Sequence, residues 1–328
     1  MNPDAIIECV PNFSEGTDAA KVREIVSAMR VDGVRLLDWS LDSAHNRSVV
    51  TIAGPPDAVV EAAVRAVGKA AQLINLTEQS GVHPRIGAAD VVPFVPVGGV
   101  SLGECAMLAR QAGLQIWRRY GVPVYFYGAA AARPDRVELE NVRRGQFEGL
   151  REASLKDAAR RPDVGGPELH STAGASAVGA RSFLIAYNLY IEPTSLALEG
   201  ANSHEHPAHP IPLQPDIASA RAIARDIRAS NGGLHGVKAI GVMVDGRAQI
   251  SMNITDYRIT PMHHVHATVK AIAQRHGVTI AEGELIGLIP EAAYEPDSDW
   301  VRQTTGFDCE RKVLERKLHQ PMDWPQAD

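Results

Sequence analysis

Short apolar runs alternate with helical patterns in an order that occurs twice along this chain, and this order constrains the fold most. In the first half, apolar residues at every third or fourth position predict one helix after Ser14 or Thr17 and another that begins at Pro55. Four short runs rich in β-branched and apolar residues predict strands at residues 6–10, 34–39, 48–53 and 90–97. The predicted order is β-α-β-β-α-β, and a third helix at 102–120 and a strand at 124–127 follow it.

The same order returns after residue 180. Asp245 and Gly246, between two apolar runs, are a strong two-residue hairpin signal. Strands are predicted at 182–191, 237–244 and 248–254, a last strand within 278–289, and helices at 216–229 and 261–276. Two such units predict an α+β fold of two ferredoxin-like, split β-α-β subdomains, although the two halves show no sequence repeat. We expect the first subdomain at residues 1–180, the second at 181–300 and a polar tail at 301–328.

Two further patterns concern the first half and its end. Pro93 and Pro96 interrupt the strand at 90–97, which indicates an edge strand or a bulge. Residues 162–179 are rich in glycine and alanine, and we interpret them as a linker between the halves.

The composition excludes some classes of protein. The formal charge of −6 over 328 residues disfavours nucleic acid and anionic membranes as main partners. The three cysteines, Cys9, Cys105 and Cys309, have no paired spacing, which is typical of a reducing compartment. No apolar run approaches the roughly 20 residues that span a bilayer. We therefore expect a soluble, cytoplasmic protein.

The loop from Gly81 to Gly87 carries the clearest chemical signal. It places His83 between a valine and Pro84, with Arg85 two residues further along. Glycine and proline fix such a loop, and a rigid imidazole beside a guanidinium suits a general base next to an anion anchor. The alternative is a turn histidine that only hydrogen-bonds to backbone.

Several ordered motifs resemble the formiminotransferase domain of glutamate formimidoyltransferases. They are the segment Ile-Ile-Glu-Cys-Val-Pro-Asn-Phe-Ser-Glu-Gly at 6–16, the loop at 81–87, and the runs at 93–97, 122–128 and 179–188. The resemblance covers about residues 5–190 and resumes at 237–256 and 284–290. It implies two ferredoxin-like subdomains with a substrate cleft between them, and a homodimer. It also implies that tetrahydrofolate receives the formimino group of N-formimino-L-glutamate, a step of histidine degradation.

The larger bifunctional members of this family carry a cyclodeaminase domain. At 328 residues we expect the stand-alone form.

The resemblance also assigns candidate residues. His83 matches the catalytic histidine, which would move the protons of the transfer. Arg85 could bind a substrate carboxylate or brace the loop internally. A cleft-lining or carboxylate-binding group is predicted at Asp42, His45, Asn46 and Arg47. An acidic residue of the family is replaced by Ser40 here, and Asp42 could substitute for it.

A folate-binding segment is expected within residues 163–174, where glycines let backbone donors approach a flat ligand. Leu169 and Ala173 replace bulkier aromatic residues of the family, so the stacking of the pteridine differs in detail. The predicted folate residues are Gly165, Gly166, Pro167, Glu168, Leu169, His170, Ser171, Thr172, Ala173 and Gly174.

Other candidates remain beside this interpretation. The histidines between His204 and His209 could bind a metal, but a solvated loop is the simpler interpretation and we expect no metal. The pairs Arg118-Arg119 and Arg143-Arg144 are interpreted as solvated charge, or as a positive field for acidic substrates. Three rival functions stay open: formyl transfer from N-formylglutamate, a metal-dependent amidine or formyl hydrolase, and folate binding without turnover.

Overall fold

The computed structural model describes residues 2, 4–43, 45–79, 84–194 and 217–326. The predictions for His83 and for the histidines at 204–209 therefore lie outside the described residues. The chain divides into two compact units, one of Met1–Ser182 with Leu318–Asp328 and one of Phe183–Lys317. Within the described residues, no helix is both long and apolar enough to cross a membrane.

The first unit is built on one sheet. Its strands are β1 (Ile6–Cys9), β2 (Asn12–Phe13), β3 (Arg35–Asp42), β4 (Arg47–Gly54), β5 (Ala89–Gly98), β6 (Val124–Gly128) and β7 (Ser176–Ala180). The short strands β1 and β2 follow one another between β4 and β5, antiparallel to both. Strand β3 pairs with the outer side of β4, while β7 runs parallel to β5, and β6 runs parallel to β7. The sheet order is thus β3-β4-β1/β2-β5-β7-β6.

Helices of the first unit begin and end at residues suited to those positions. They are α1 (Ala19–Ala28), α2 (Pro56–Leu73), α3 (Leu102–Tyr120), α4 (Leu139–Val142) and α5 (Gln146–Lys156). The Asp18 side chain accepts backbone N–H groups at the start of α1. Ser101 and Glu104 form a capping box on α3, which ends at Gly121 in the left-handed conformation.

Successive residues of β6 serve two cores because strand side chains alternate between faces. Val124 and Phe126 belong to the main core, which includes residues of α1, α2 and α3. Tyr125 and Tyr127 belong to a smaller core with residues of α4 and α5, such as Leu150.

The second unit has a single antiparallel sheet. Its strands are β8 (Ile185–Pro193), β9 (Val237–Val244), β10 (Arg247–Ile254) and β11 (Val278–Ile286), in the order β11-β8-β10-β9. One sheet face packs with α6 (Ile217–Ile227) and α7 (Met262–Arg275) in an apolar core. Asp245 and Gly246 close the β9–β10 hairpin with φ of 49° and 76°, as the sequence predicts. The short helices α8 (Asp299–Gln303), α9 (Cys309–Lys312) and α10 (Leu314–His319) follow β11.

The structure confirms the α+β class and the predicted order of elements in both halves. The prediction of an edge strand at 90–97 is wrong, because β5 has neighbours on both sides. The partner strand is interrupted between β1 and β2 instead, and the Val10 N–H there donates to the Pro93 carbonyl at 3.3 Å. The register shifts on this side of β5, as the bulge alternative predicts.

The prediction of a linker at 162–179 is also wrong. Its last residues form β7, a buried strand inside the sheet of the first unit. Small side chains are required there, since a Cβ on Gly179 would lie 2.5 Å from the Tyr127 ring. The glycine and alanine content of this segment reflects close packing rather than flexibility.

Candidate functional site

The motif at residues 12–16 contacts the turn that joins β3 to β4. Asn12 Oδ1 accepts from Nε and Nη2 of Arg47, at 2.9 and 2.6 Å. The Gly16 N–H donates to Asn46 Oδ1 at 2.9 Å. A Cβ on Gly16 would lie 2.2 Å from the Asp42 carbonyl oxygen and 2.3 Å from the Arg47 nitrogen, so only glycine fits here. The structure therefore joins two of the predicted motifs.

Asp42 and His45 form a hydrogen-bonded pair in this turn. His45 Nδ1 lies 2.6 Å from Asp42 Oδ2, and the His45 N–H donates to Asp42 Oδ1 at 2.9 Å. Asn46 has a φ of 49°, in the left-handed region that asparagine tolerates better than most residues. The turn is thus fixed by its own side chains, and it holds the His45 ring in one orientation.

Asp90, at the start of β5, is a buried carboxylate between two arginines. Its Oδ1 accepts the Ile86 N–H at 2.8 Å. Its Oδ2 forms an ion pair with Arg143 Nη2 and lies 3.6 Å from Arg47 Nη1. Burial, with the like charge of Arg143 as the next cause, lowers the pKa of Arg47 to about 9. The Arg47 guanidinium therefore remains cationic at neutral pH.

Glu15 connects the first motif to the flank of the His83 loop. Its Oε2 accepts from Gln79 Nε2 at 3.0 Å, and its Oε1 accepts the N–H groups of Thr17 and Asp18. Burial alone would raise the pKa of the Glu15 carboxyl, but these hydrogen bonds lower it below its ordinary value. Glu15 is therefore an anion that holds Gln79 in place.

Arg85, on the other flank of that loop, is an internal brace in this structure. Its Nη2 donates to the carbonyl oxygens of Leu76 and Gln79, at 3.3 and 2.6 Å, and to Glu148 Oε1 at 3.2 Å. The Phe147 N–H in turn donates to the Arg85 carbonyl at 2.8 Å. These bonds connect Arg85, just after His83, to α5 and to the residues that follow α2.

The end of the predicted folate segment packs against the same region. Gly174 and His170 exchange backbone hydrogen bonds, and His170 Nδ1 accepts the Ala173 N–H at 3.1 Å. The Thr172 carbonyl accepts the Leu76 N–H at 2.9 Å. A Cβ on Gly174 would lie 2.2 Å from the Ile86 carbonyl oxygen. Two motifs almost ninety residues apart are therefore in direct contact.

The start of the folate segment is fixed by a second buried ion pair. Asp163 Oδ1 lies 2.6 Å from Arg136 Nη1, and Asp163 Oδ2 accepts the Phe126 N–H at 2.8 Å. Gly165 lies against Trp117, whose ring a Cβ would meet at 2.5 Å. The next three residues, Gly166, Pro167 and Glu168, are exposed, whereas Leu169, Ala173 and Gly174 are buried and His170 and Thr172 are half-buried; Ser171 is exposed.

Comparison with known proteins decides the family. The profile described as "Formiminotransferase domain, N-terminal subdomain" matches residues 6–181, and the one described as "Formiminotransferase domain" matches residues 208–315. The chain belongs to the formiminotransferase family. The N-terminal match covers nearly all of the first unit, in which the predicted motifs meet.

Members of the family match this chain almost end to end. The glutamate formimidoyltransferase of Streptococcus pyogenes is 39% identical over 316 residues, which cover 95% of this chain and 98% of that protein. The glutamate formimidoyltransferase of Thermoplasma acidophilum is 40% identical over 319 residues, 96% and 97% of the two chains. The formimidoyltransferase-cyclodeaminase of Rattus norvegicus is 37% identical, over 94% of this chain but 53% of its own length.

This formiminotransferase chain also has functional candidates that the sequence does not reveal. Asp90 and Arg143 are 53 residues apart, and no local pattern connects them. The interpretation of Arg143 as solvated charge is wrong, because it turns inward from the end of α4 to reach Asp90. The second unit has its own polar group, in which Asn188 donates to Glu284 at 3.1 Å and Arg247 lies 4.3 Å from the Tyr190 ring centroid.

The described part of the chain shows no group of three His, Cys, Asp or Glu side chains close enough to hold a metal ion. Two of the three histidines of α7 have other partners. His263 pairs with Glu295, and His266 Nε2 lies 2.6 Å from Gln303 Oε1.

Proposed function

We propose that this protein transfers the formimino group of N-formimino-L-glutamate to tetrahydrofolate, giving 5-formimino-tetrahydrofolate and L-glutamate. The nearly full-length match to two proteins named glutamate formimidoyltransferase carries the proposal. Tetrahydrofolate is then a co-substrate, and a metal ion is not required. A homodimer in the cytoplasm is the family expectation that we retain as part of the proposal.

The fold supports this assignment in finer detail. When the strands of each β-α-β-β-α-β unit are numbered in chain order, with β1 and β2 taken as one strand, both sheets have the order 4-1-3-2. We propose on this basis that both units are ferredoxin-like, and that the first extends its sheet with β7 and β6.

The chemistry of the transfer has three requirements. The N5 nitrogen attacks the formimino carbon and loses a proton, while the departing glutamate nitrogen gains one. The two reactants, which both carry carboxylates, must also be held in a fixed geometry. The first unit offers buried guanidiniums at Arg47 and Arg143 for the carboxylates. We propose His83 as the group that moves the protons, with Arg85 bracing the residues beside it.

Folate is proposed to contact residues 165–174. The turn at His170–Gly174 lies beside the flank of the His83 loop, and the stretch Gly166–Glu168 before it is exposed. The direct contact of this turn with Ile86 supports a common site for folate and the catalytic loop.

A donor assay tests the function. Purified protein with tetrahydrofolate is given N-formiminoglutamate, N-formylglutamate or no donor, each with and without EDTA. We expect turnover with the formimino donor and no effect of EDTA. Preference for the formyl donor would favour formyl transfer, and donor hydrolysis in the absence of tetrahydrofolate would favour a hydrolase.

The variant His83→Ala tests the catalytic residue in the same assay. We expect kcat to fall by about 10² to 10⁴, the range of general acid–base catalysis. Folate binding, measured as slower amide exchange at residues 165–174, should be retained. His264→Ala, an exposed histidine on α7, is the matched control. A kcat within twofold of wild type in His83→Ala would sink this role.

A further inference from the structure

The guanidiniums of Arg47 and Arg143 both lie near the buried carboxylate of Asp90. Only one of its two oxygens is available to them. The side chain of Asp90 is 2% exposed, and its Oδ1 is engaged by the Ile86 N–H. Only Oδ2 faces the arginines, forming the ion pair with Arg143 and lying 3.6 Å from Arg47. Neither arginine has the two-pronged bond to Asp90 that a guanidinium and a carboxylate prefer.

One hydrogen-bond donor of Arg143 lacks a partner in the described part of the chain. Its Nε is buried and has no hydrogen-bond partner among the residues that the structure describes. A buried N–H without a partner is costly, and structures usually supply one from protein, water or ligand. Because Nη2 pairs with Asp90, the donor at Nε remains available to a further oxygen.

Tyr127 and Asp42 also lie near these two cations. Burial raises the pKa of the Tyr127 hydroxyl to about 12, so Tyr127 stays uncharged near Arg143 and Arg181. Asp42 is half-exposed and shares its carboxylate with His45. The proximity of Arg143 also contributes to the lowered pKa of Arg47, and a bound anion would relieve this repulsion.

We infer that Arg143, with Arg47 beside it and Asp90 as the residue that positions both, binds a carboxylate of an N-substituted glutamate. This inference rests on the proposed function, because both reactants have this chemistry. N-Formiminoglutamate is a glutamate substituted on nitrogen, and so is the p-aminobenzoylglutamate tail of tetrahydrofolate. Arg143 is thus a specificity-determining residue of the transfer, reached from a helix outside the β-α-β-β-α-β unit.

Calorimetric binding to the full chain tests the site with each source separately. The probes are N-formiminoglutamate and p-aminobenzoylglutamate, and the variants are Arg143→Gln, Arg143→Lys and the control Arg144→Gln. Arg144 is the adjacent residue, is exposed and contacts Asn141. We expect Arg143→Gln to weaken one probe about 10²-fold, as for loss of one partner from a buried charge pair. The probe that is weakened identifies which reactant occupies the site.

The lysine variant separates positioning from charge. It retains the cation and its attraction to Asp90 but lacks the Nε donor, so we expect roughly tenfold weaker binding of the same probe. This variant also decides the case if Arg143→Gln does not fold. Wild-type affinity for both probes in a folded Arg143 variant, or equal weakening in Arg144→Gln, overturns the inference.

The outcome is independent of the transfer assay. A wild-type protein that binds these glutamates through Arg143 but transfers no formimino group would overturn the proposed function and leave this site. A protein with full turnover and an unchanged KM for both reactants in Arg143→Gln would overturn the site alone.

Discussion

The two units have the same order of strands, but they place their charges differently. In the first unit, Asp90 and Arg143 pair with side-chain exposures of 2% and 13%. In the second, Arg247 and Glu282 pair with exposures of 46% and 34%. Burying a charge is costly unless it is paired, and a hydrophobic replacement is often as stable. Such a pair in the first unit is consistent with our proposal that this unit carries the site of the transfer.

The elements that the first unit adds to the common order contribute charged residues to its buried ion pairs. Arg143 follows α4, Arg136 lies just before it, and Asp163 precedes β7. The second unit has no counterpart of these elements after its last strand in the described chain; short helices that pack around buried Trp300 take that place. Part of the difference therefore lies in additions to a common order of strands, and part in buried charged residues such as Glu15 and Asp90 within that order.

The largest expected difference between the units is in stability, when a buried carboxylate is removed from the first and an exposed one from the second. Asp90→Asn leaves two guanidiniums without their carboxylate, and breaking a buried pair costs about 3–5 kcal/mol. Glu282→Gln removes an exposed partner of Arg247, and such pairs contribute below about 1 kcal/mol. Urea unfolding, followed by tryptophan fluorescence and circular dichroism, measures both free energies of unfolding. Equal losses in the two variants would contradict the contrast drawn between the units.

Local sequence signals predicted most of the scaffold. The capping residues of α3, the proline at the start of α2 and the Asp245-Gly246 turn act over a few residues, so their effect can be read directly. The sequence did not predict strand β7, because its residues, Ser-Ala-Val-Gly-Ala, are mostly small. Such residues suit close packing but do not have a high strand propensity. The fold assigns it to the sheet through neighbours far away in sequence.

The candidate site was predictable only in part for a similar reason. The motif at 12–16 and the turn at Asp42–Arg47 are visible as segments, but their contact depends on strand pairing between β2 and β4. Arg143 and Arg144 are the same residue type in adjacent positions, and only the end of α4 makes one largely buried and the other exposed. Sequence alone cannot distinguish them.

Crowded glycines in the two units offer a sharper comparison. A Cβ on Gly16 would lie 2.2 Å from backbone of the Asp42–Arg47 turn, and one on Gly241 would lie 2.4 Å from backbone of α6. Each alanine variant should cost about 1–3 kcal/mol through overpacking. Only Gly16→Ala displaces residues of the proposed site, so it should also lower kcat/KM by roughly 10²-fold under conditions where both proteins are folded.

Thermal unfolding and steady-state kinetics on the same preparations measure these two effects. Gly149→Ala is the control, because a Cβ there meets nothing within 4 Å and alanine favours the α5 helix. An equal loss of activity in Gly241→Ala would place the chemistry in both units and remove the contrast.

The reactivity of the cysteines should show the smallest of the three differences between the units, and measuring it does not alter the proposed site. Cys9 and Cys105 of the first unit are fully buried, and burial, with the nearby Glu104, raises the pKa of Cys105 from 9 to about 11. Because only the thiolate reacts, two units of pKa lower the reactive fraction about a hundredfold. Cys309 of the second unit is partly exposed, with its Sγ 3.0 Å from Arg316 Nη1.

Iodoacetamide at pH 8 should therefore label Cys309 first, and peptide mass spectrometry should find Cys9 and Cys105 modified only as slowly as the protein opens. In Cys309→Ser only the slow phase should remain, whereas fast labelling of Cys105 in the native protein would mean that α3 opens and exposes the core of the first unit.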